Sequence, residues 1–351
     1  MSNPFRRRAN PITVHRRLLP TKFECGFRAK KGSLGRIPAR KATALACAAA
    51  GVFLFAAAGR KPLAAHPADD QDQRGRIRSE VTMVSVLASV LGKDGRPVLG
   101  LTADQFEISE EGNKQKIEAF EAETQQPLDL ALMIDSSLSE TRELEFEADA
   151  ASRFIQKLVR PADRLAVYEF ADAVTQLAPF SSNVPSLQAG LHRIVPGDGT
   201  ALYDAIFLGS QGLTKNPAGR RRAIVLVTDA GETTSRADFE TARRAALRAD
   251  TLLYTIVVRA VKNEGGRNTA GEHALDTIAD STGGAIYFPD TIAQLGDMFD
   301  RIDRELRTQY RIAYYPAPRP PAGTYRNLEV RATCECTVRS KKSYFSGGRL
   351  D

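Results

Sequence analysis

From Glu80 the chain alternates apolar and polar positions in VTMVSVLASV, turns at KDGRP, and runs on through VLGLTADQFEISEEGNKQKIEAF with a second turn at EEGN. A period of two, bounded by Gly, Pro and Asn, marks short antiparallel strands, three or four of them here. Beyond Pro127 the texture changes. LDLALMID is short and continuously apolar, as a strand buried on both faces must be. In the next stretch, TRELEFEADAASRFIQKLV, the residues Leu144, Ala148, Ala151, Ile155 and Leu158 recur at steps of four and three, which predicts a helix with one apolar stripe.

The same alternation repeats down the chain. Strands are expected at DRLAVYEFA, VTQLAPF, RRAIVLVTD, TLLYTIVV and AIYFP, and helices at NVPSLQAGLHRI, ALYDAIFLGSQGL, RADFETARRAALRA and HALDTIADSTGG. A last helix, TIAQLGDMFDRIDRELRTQ, aligns Ile292, Leu295, Met298, Phe299, Ile302 and Leu306, and Gly283-Gly284 stops the helix before it. Apolar strands alternating with amphipathic helices imply an α/β fold, a doubly wound and mostly parallel sheet covered on both faces. After Gln309 the period of two returns in YRIAYYP, YRNLEVRAT and CTVRSKKSYFSGG, read as three strands. Neither end can build a covered sheet by itself, so the two are expected to pack together. The resulting organisation is a leader at 1–65, a linker at 66–78, a discontinuous small antiparallel β domain at 79–127 plus 308–349, and an α/β domain inserted at 128–307.

Charge narrows the function. The chain of 351 residues carries a net +7, a sign that invites a nucleic-acid partner. Yet residues 1–58 hold 12 Lys and Arg against the single acid Glu24, and subtracting their +11 leaves −4 for the remainder. No basic stripe survives outside the leader, so nucleic acid is set aside. The leader itself runs from a basic segment through the apolar stretch ATALACAAAGVFLFAAAG to polar HPADDQDQRG, the layout of an export signal or of a retained N-terminal anchor. The expected location is therefore periplasmic, cell-surface or secreted. Cys25 and Cys47 fall in this leader. Cys334 and Cys336 form CEC; in a strand their Cα atoms would lie roughly 6.5 to 7 Å apart, so two core thiols are expected rather than a disulfide, and no second pair accompanies them to bind zinc.

In an open parallel sheet ligands sit beyond the carboxyl ends of the strands. Three stretches fall there: Asp135, Ser137 and Ser139 after LALMI, Thr200 in GDGTALYDA, and Asp229 in TDAGETTS. Each alone reads equally well as a helix cap or loop. Together they supply hard oxygen ligands, which suit a small cation such as Mg²⁺ that takes six oxygens at about 2.0 to 2.1 Å and keeps some of its waters. Few carboxylates would bind directly, so the ion would retain charge and favour an incoming carboxylate. Glu232 and Asp204 lie close by; a solvated Glu and a helix-turn Asp are the expected readings. His192 and His273 have no catalytic companions.

The series D-x-S-x-S, then T, then D resembles the metal-ion-dependent adhesion site of the von Willebrand factor type A domain, matched at Asp135, Ser137, Ser139, Thr200 and Asp229. The likeness spans roughly residues 127–307. The flanks GLTADQFEI, PLDLALMIDSS and RTQYRIAYYP are similar to a bacterial VWFA-related family found in acidobacterial proteins. Ala230 departs from the pattern, since many such domains have Gly there, and a small backbone change is expected. The resemblance implies Mg²⁺ (or Mn²⁺ or Ca²⁺) at the five residues, completed by a Glu or Asp of a protein partner. The expected function is an exported, non-enzymatic binding protein, with no catalytic residue and membrane contact only through an N-terminal anchor. Two alternatives stand beside it: a scaffold whose β domain makes the partner contacts while the metal is structural, and a metal-dependent hydrolase. No G-x-S-x-G elbow, two-metal carboxylate cluster or phosphate-cradling loop supports the hydrolase.

Overall fold

A computed structural model of the chain describes residues 83–137, 141–258 and 268–347, with the side chains of 141–143 left aside. The leader and the linker lie outside these residues. The opening strands are β1 (Val84–Leu91), β2 (Phe106–Glu110), β3 (Asn113–Gln115) and β4 (Ile117–Glu121). The α/β portion comes next as β5 (Leu128–Asp135), α1 (Thr141–Leu158), β6 (Arg164–Phe170), β7 (Val174–Ser181), α2 (Val184–Leu191), α3 (Leu202–Thr214), β8 (Arg221–Thr228), α4 (Phe239–Arg248), β9 (Thr251–Val257), α5 (Thr269–Thr282), β10 (Ala285–Tyr287) and α6 (Leu295–Arg307). The closing strands are β11 (Tyr310–Tyr314), β12 (Thr324–Ala332), β13 (Thr337–Ser340) and β14 (Ser343–Ser346).

The central sheet has the order β10-β9-β8-β5-β6-β7, parallel throughout except that β7 runs antiparallel to β6. Every residue of β5 is buried, and alternate side chains enter different cores. Leu128, Leu130, Leu132 and Ile134 pack with α1, α2 and α6, whereas Ala131 and Met133 face α3, α4 and α5. Burial on both faces explains why LALMI, from Leu130 to Ile134, shows no polar alternation, and the one buried charge before it, Asp129, is paired with Arg164 and Arg220. The two apolar helix stripes meet on the first of these faces, where Phe154 of α1 stacks on Phe299 of α6 at 4.6 Å between ring centroids. Ile292 lies in a 3₁₀ turn that precedes α6 rather than in the helix itself. Gly283 ends α5 at φ +82°, a left-handed cap, and a Cβ there would stand 2.5 Å from the Ser340 carbonyl carbon, so the turn also needs glycine to let β13 approach.

The two ends of the chain do pack together, but as two four-stranded sheets rather than one. One has the order β13-β1-β11-β4 and the other β14-β12-β2-β3. Val86, Ala88, Tyr310, Ile312 and Tyr314 of the first share a core with Phe106, Ile108, Leu328 and Val330 of the second. The last predicted strand is in fact two. Lys341 and Lys342 interrupt it, which sends β13 to one sheet and β14 to the other. All three sheets belong to one compact unit.

Cys334 and Cys336 form a disulfide with Cα atoms 5.2 Å apart, contrary to the expected pair of thiols. The reason is local. CEC lies in the bend between β12 and β13, where the Cys336 N–H donates to the Cys334 carbonyl at 2.9 Å, and this tight turn brings the i and i+2 positions closer than a strand would.

Buried polar groups join the layers. Glu110 accepts from Tyr314 Oη at 2.7 Å, Tyr344 Oη at 3.1 Å and Arg326 Nε at 2.9 Å, tying β2 to β11, β14 and β12. Glu305 of α6 accepts from Tyr254 Oη at 3.0 Å, Tyr287 Oη at 3.2 Å and the Arg339 guanidinium, so one carboxylate fastens β9, β10 and β13.

Candidate metal site

At the carboxyl end of β5 the backbone leaves the sheet, and both oxygens of Asp135 become acceptors. Oδ1 takes the Ser137 N–H at 3.0 Å and the Ser137 hydroxyl at 2.5 Å, and Oδ2 takes the Thr228 hydroxyl at 2.5 Å from the end of β8. The chain of oxygens continues through Thr200, whose Oγ1 lies 2.9 Å from Ser137 Oγ. Asp135, Ser137 and Thr200 are all buried, and Asp229 is half-buried. Ser139 lies outside the described residues.

The loop holding Thr200 is fixed on two sides. Gly197 N–H donates to the Ser136 carbonyl at 3.1 Å, and the Ala201 N–H donates to the Ala171 carbonyl at 2.7 Å. Thr233 accepts from the Thr200 N–H at 2.8 Å and returns its own N–H to the Thr200 carbonyl at 2.9 Å. Asp229 Oδ1 accepts from the Gly231 N–H at 2.7 Å. A Cβ on Gly231 would meet Asp229 Oδ1 at 2.9 Å and Thr200 Oγ1 at 3.3 Å, so the glycine keeps open the gap between two predicted ligands.

Asp204 stands in the first turn of α3, as expected, whereas Glu232 is half-buried and hydrogen-bonded rather than simply solvated. Glu232 accepts from the Tyr203 N–H at 3.0 Å and from the Ser235 N–H and hydroxyl at 2.9 and 2.6 Å, so it clamps the first turn of α3 to the loop after β8. Asp204 accepts from the N–H groups of Arg236 and Ala237 at 3.1 and 2.8 Å. Both carboxylates fix the backbone that carries Thr200 and Asp229. His192, just past the end of α2, and His273, on α5, are exposed.

Ala230 takes φ +65°, the left-handed conformation that a glycine would adopt without cost. The backbone thus keeps a glycine-like turn despite the side chain, and its methyl is fully buried. The turn is held by the Ala230 N–H on Thr228 Oγ1 at 3.0 Å and by Asn268 Nδ2 on the Ala230 carbonyl at 2.8 Å. Thr228, Thr233 and Asn268 were not singled out by sequence reasoning. The density of hydroxyls in TDAGETTS was the available signal for the first two, whereas Asn268 reads only as the cap of α5.

The electrostatics of the site favour an added cation. Burial pushes the Asp135 carboxyl up to about 6, the hydrogen bonds from Ser137 and Thr228 oppose that rise, and the Asp229 charge adds to it. Among the described residues no group of three or more His, Cys, Asp or Glu could hold a metal ion, so any site here depends on the hydroxyls. Their placement fits: two neighbouring ligands of an octahedral ion with bonds of about 2.05 Å stand about 2.9 Å apart, and Ser137 Oγ and Thr200 Oγ1 are separated by 2.9 Å.

A doubly wound α/β domain with a hydroxyl and carboxylate site at the carboxyl ends of its strands is therefore inserted between two halves of a β structure. Residues 130–232 match the model of the von Willebrand factor type A domain, and the chain carries a domain of that family. Among solved structures, BatB from Bacteroides thetaiotaomicron is 20% identical with a TM-score of 0.41, covering 52% of this chain and 100% of its own. A von Willebrand factor type A protein from Catenulispora acidiphila is 11% identical with a TM-score of 0.46, covering 76% and 74%. Proximal thread matrix protein 1 from the mussel byssus, in a structure described as having a zinc-occupied MIDAS motif, is 13% identical with a TM-score of 0.44, covering 53% and 50%. None of the curated proteins matches the chain. No helix among the described residues is long and apolar enough to cross a membrane.

Proposed function

We propose that this is an exported, non-enzymatic binding protein that uses a divalent cation, Mg²⁺ or a similar ion, to hold an acidic side chain of a protein partner. The observation that carries the reading is the unbroken contact from Asp135 through Ser137 to Thr200. It joins two loops that are 63 residues apart, with Asp229 beside Thr200 across Gly231. Ser137 and Thr200 would offer neutral oxygens directly, and Asp135 and Asp229 would bind directly or through water. Ser139 joins the set through the family pattern. When bound, the ion would supply an electrophilic position for a carboxylate oxygen.

The protein's own part is positional. Thr228 orients Asp135, Thr233 and Glu232 fix the Thr200 loop, and the Ala230 turn aims Asp229. Export is supported by the basic, apolar and polar order of the leader and by a disulfide, a bond that persists in oxidising compartments. Thermal unfolding in EDTA and in Mg²⁺ or Mn²⁺ tests the site. A cation at a hundred times its dissociation constant should add about 2.7 kcal/mol, and an unchanged midpoint would count against the reading.

A further inference from the structure

At the opposite end of β8 from the metal site lies a cavity of about 630 Å³, within the usual range for small-molecule pockets. Its walls come from the starts of β1 and β8, the ends of α3 and α4, the loop between β11 and β12, and β14. Five cations line it, Arg220, Arg222, Arg248, Arg319 and Lys341, against one carboxylate, Asp250. Leu247, Pro320 and Phe345 give the same cavity an apolar wall.

Three of the cations have structural duties. Arg220 Nε bonds Asp129 at 2.7 Å, Arg222 donates to the Ala249 carbonyl at 2.9 Å, and Lys341 pairs with Asp250 at 2.7 Å. Arg248 differs. Its guanidinium lies 5.0 Å from the centre of the Phe345 ring, and among the described residues it has neither an ion pair nor a hydrogen bond. Stacking fixes the plane of a guanidinium while leaving its edge donors free, and that edge forks onto carboxylate or phosphate oxygens. Arg319, exposed on the facing loop and itself engaged in a contact, adds positive charge at the rim.

We propose that this cavity binds a small organic anion, a phosphate or carboxylate on an apolar body, with Arg248 as the anion-recognising residue. The apolar wall takes the body, and the surplus of positive charge selects against neutral molecules of the same shape. The source of the anion is either a soluble organophosphate or the headgroup of an anionic lipid.

Phenyl phosphate titrated calorimetrically into the protein should bind one to one, more tightly than inorganic phosphate, while benzyl alcohol gives no signal. Arg248→Gln should weaken phenyl phosphate at least tenfold, and Arg319→Gln should weaken it less. Unchanged affinity in Arg248→Gln with an unchanged melting midpoint would overturn the proposal, as would the absence of phenyl phosphate binding to the native protein. If Arg248→Gln fails to fold, Arg319→Gln decides: equal affinity there rejects the charge argument. Sedimentation with phosphatidylglycerol vesicles, lost in Arg248→Gln and absent with phosphatidylcholine alone, assigns the lipid headgroup. Phenyl phosphate binding without sedimentation assigns the soluble anion.

Discussion

The hydroxyl of Thr228 lies 2.5 Å from Oδ2 of Asp135, so the end of one central strand donates to the carboxylate that ends its neighbour. The same hydroxyl accepts from the Ala230 N–H at 3.0 Å. One side chain therefore sets both the orientation of a candidate ligand and the turn that carries Asp229.

Thr228→Val keeps the shape of the side chain and removes that link. It leaves a buried carboxylate oxygen and a buried N–H without their partner, which should cost about 1 to 3 kcal/mol in denaturant unfolding. Apparent affinity for Mg²⁺ or Mn²⁺ should fall at the same time, because Asp135 loses its orientation.

The Asp135 carboxyl, raised from 3.8 to about 6 mainly by burial, makes the metal-free protein pH-sensitive. A carboxyl whose folded value is raised favours the fold fully below its unfolded value and loses that contribution as pH climbs through the folded one. The metal-free protein should thus lose up to about 3 kcal/mol between pH 4 and 7 from this group. Asp135→Asn should flatten that part of the profile in EDTA. It should also abolish the stabilisation by added cation, and the two effects together separate a metal site from a structural hydrogen-bond network.

Ser137→Ala and Asp229→Ala remove predicted ligands that lie on different loops. Each should reduce the cation-dependent rise in melting midpoint by more than half, while melting in EDTA changes by less than about 2 °C for Asp229→Ala, whose side chain is only half-buried. A full cation response in both variants would place the ion elsewhere.

Ala230 offers a test of the turn itself. Ala230→Gly relieves a left-handed alanine but gives up a buried methyl and adds freedom to the unfolded chain, so its net effect should stay within about 1 kcal/mol. Ala230→Val adds a branch in a conformation that such residues avoid, at a position with no free surface, and should destabilise by about 2 kcal/mol or more.

Glu305 ties α6 to β13 through Arg339. Arg339→Ala leaves a buried carboxylate with two tyrosine hydroxyls and no cation, and should cost about 3 kcal/mol in unfolding, with Glu305→Gln relieving part of the loss in the double variant.

Periodicity alone made the central strand legible. Leu128, Leu130, Leu132 and Ile134 had to be buried on one side and Ala131 and Met133 on the other, because an uninterrupted apolar strand has no wet face. The positions of the candidate site residues were legible as well, since Asp135 and Asp229 each stand just past an apolar strand and Thr200 in a glycine-flanked loop. Long-range choices were not. Nothing in the alternation of VTQLAPF shows that β7 runs antiparallel, and a continuous polar and apolar rhythm hid the break at Lys341 that divides β13 from β14. CEC was misread because a strand was assumed where the chain turns. Thr228 was overlooked because a hydroxyl at a strand end looks like any other β-branched residue until its partner across the sheet is known.

The placement of β1 bears on how the protein carries load. β1 is not an edge: it is bonded to β11 from Val84 to Ala88 and to β13 from Ala88 to Leu91, antiparallel on both sides. A pull along the chain that enters at Val84 is resisted by two ladders loaded lengthwise, whose bonds must yield together rather than one after another. The first described strand to take such a pull is therefore one that is braced on both sides.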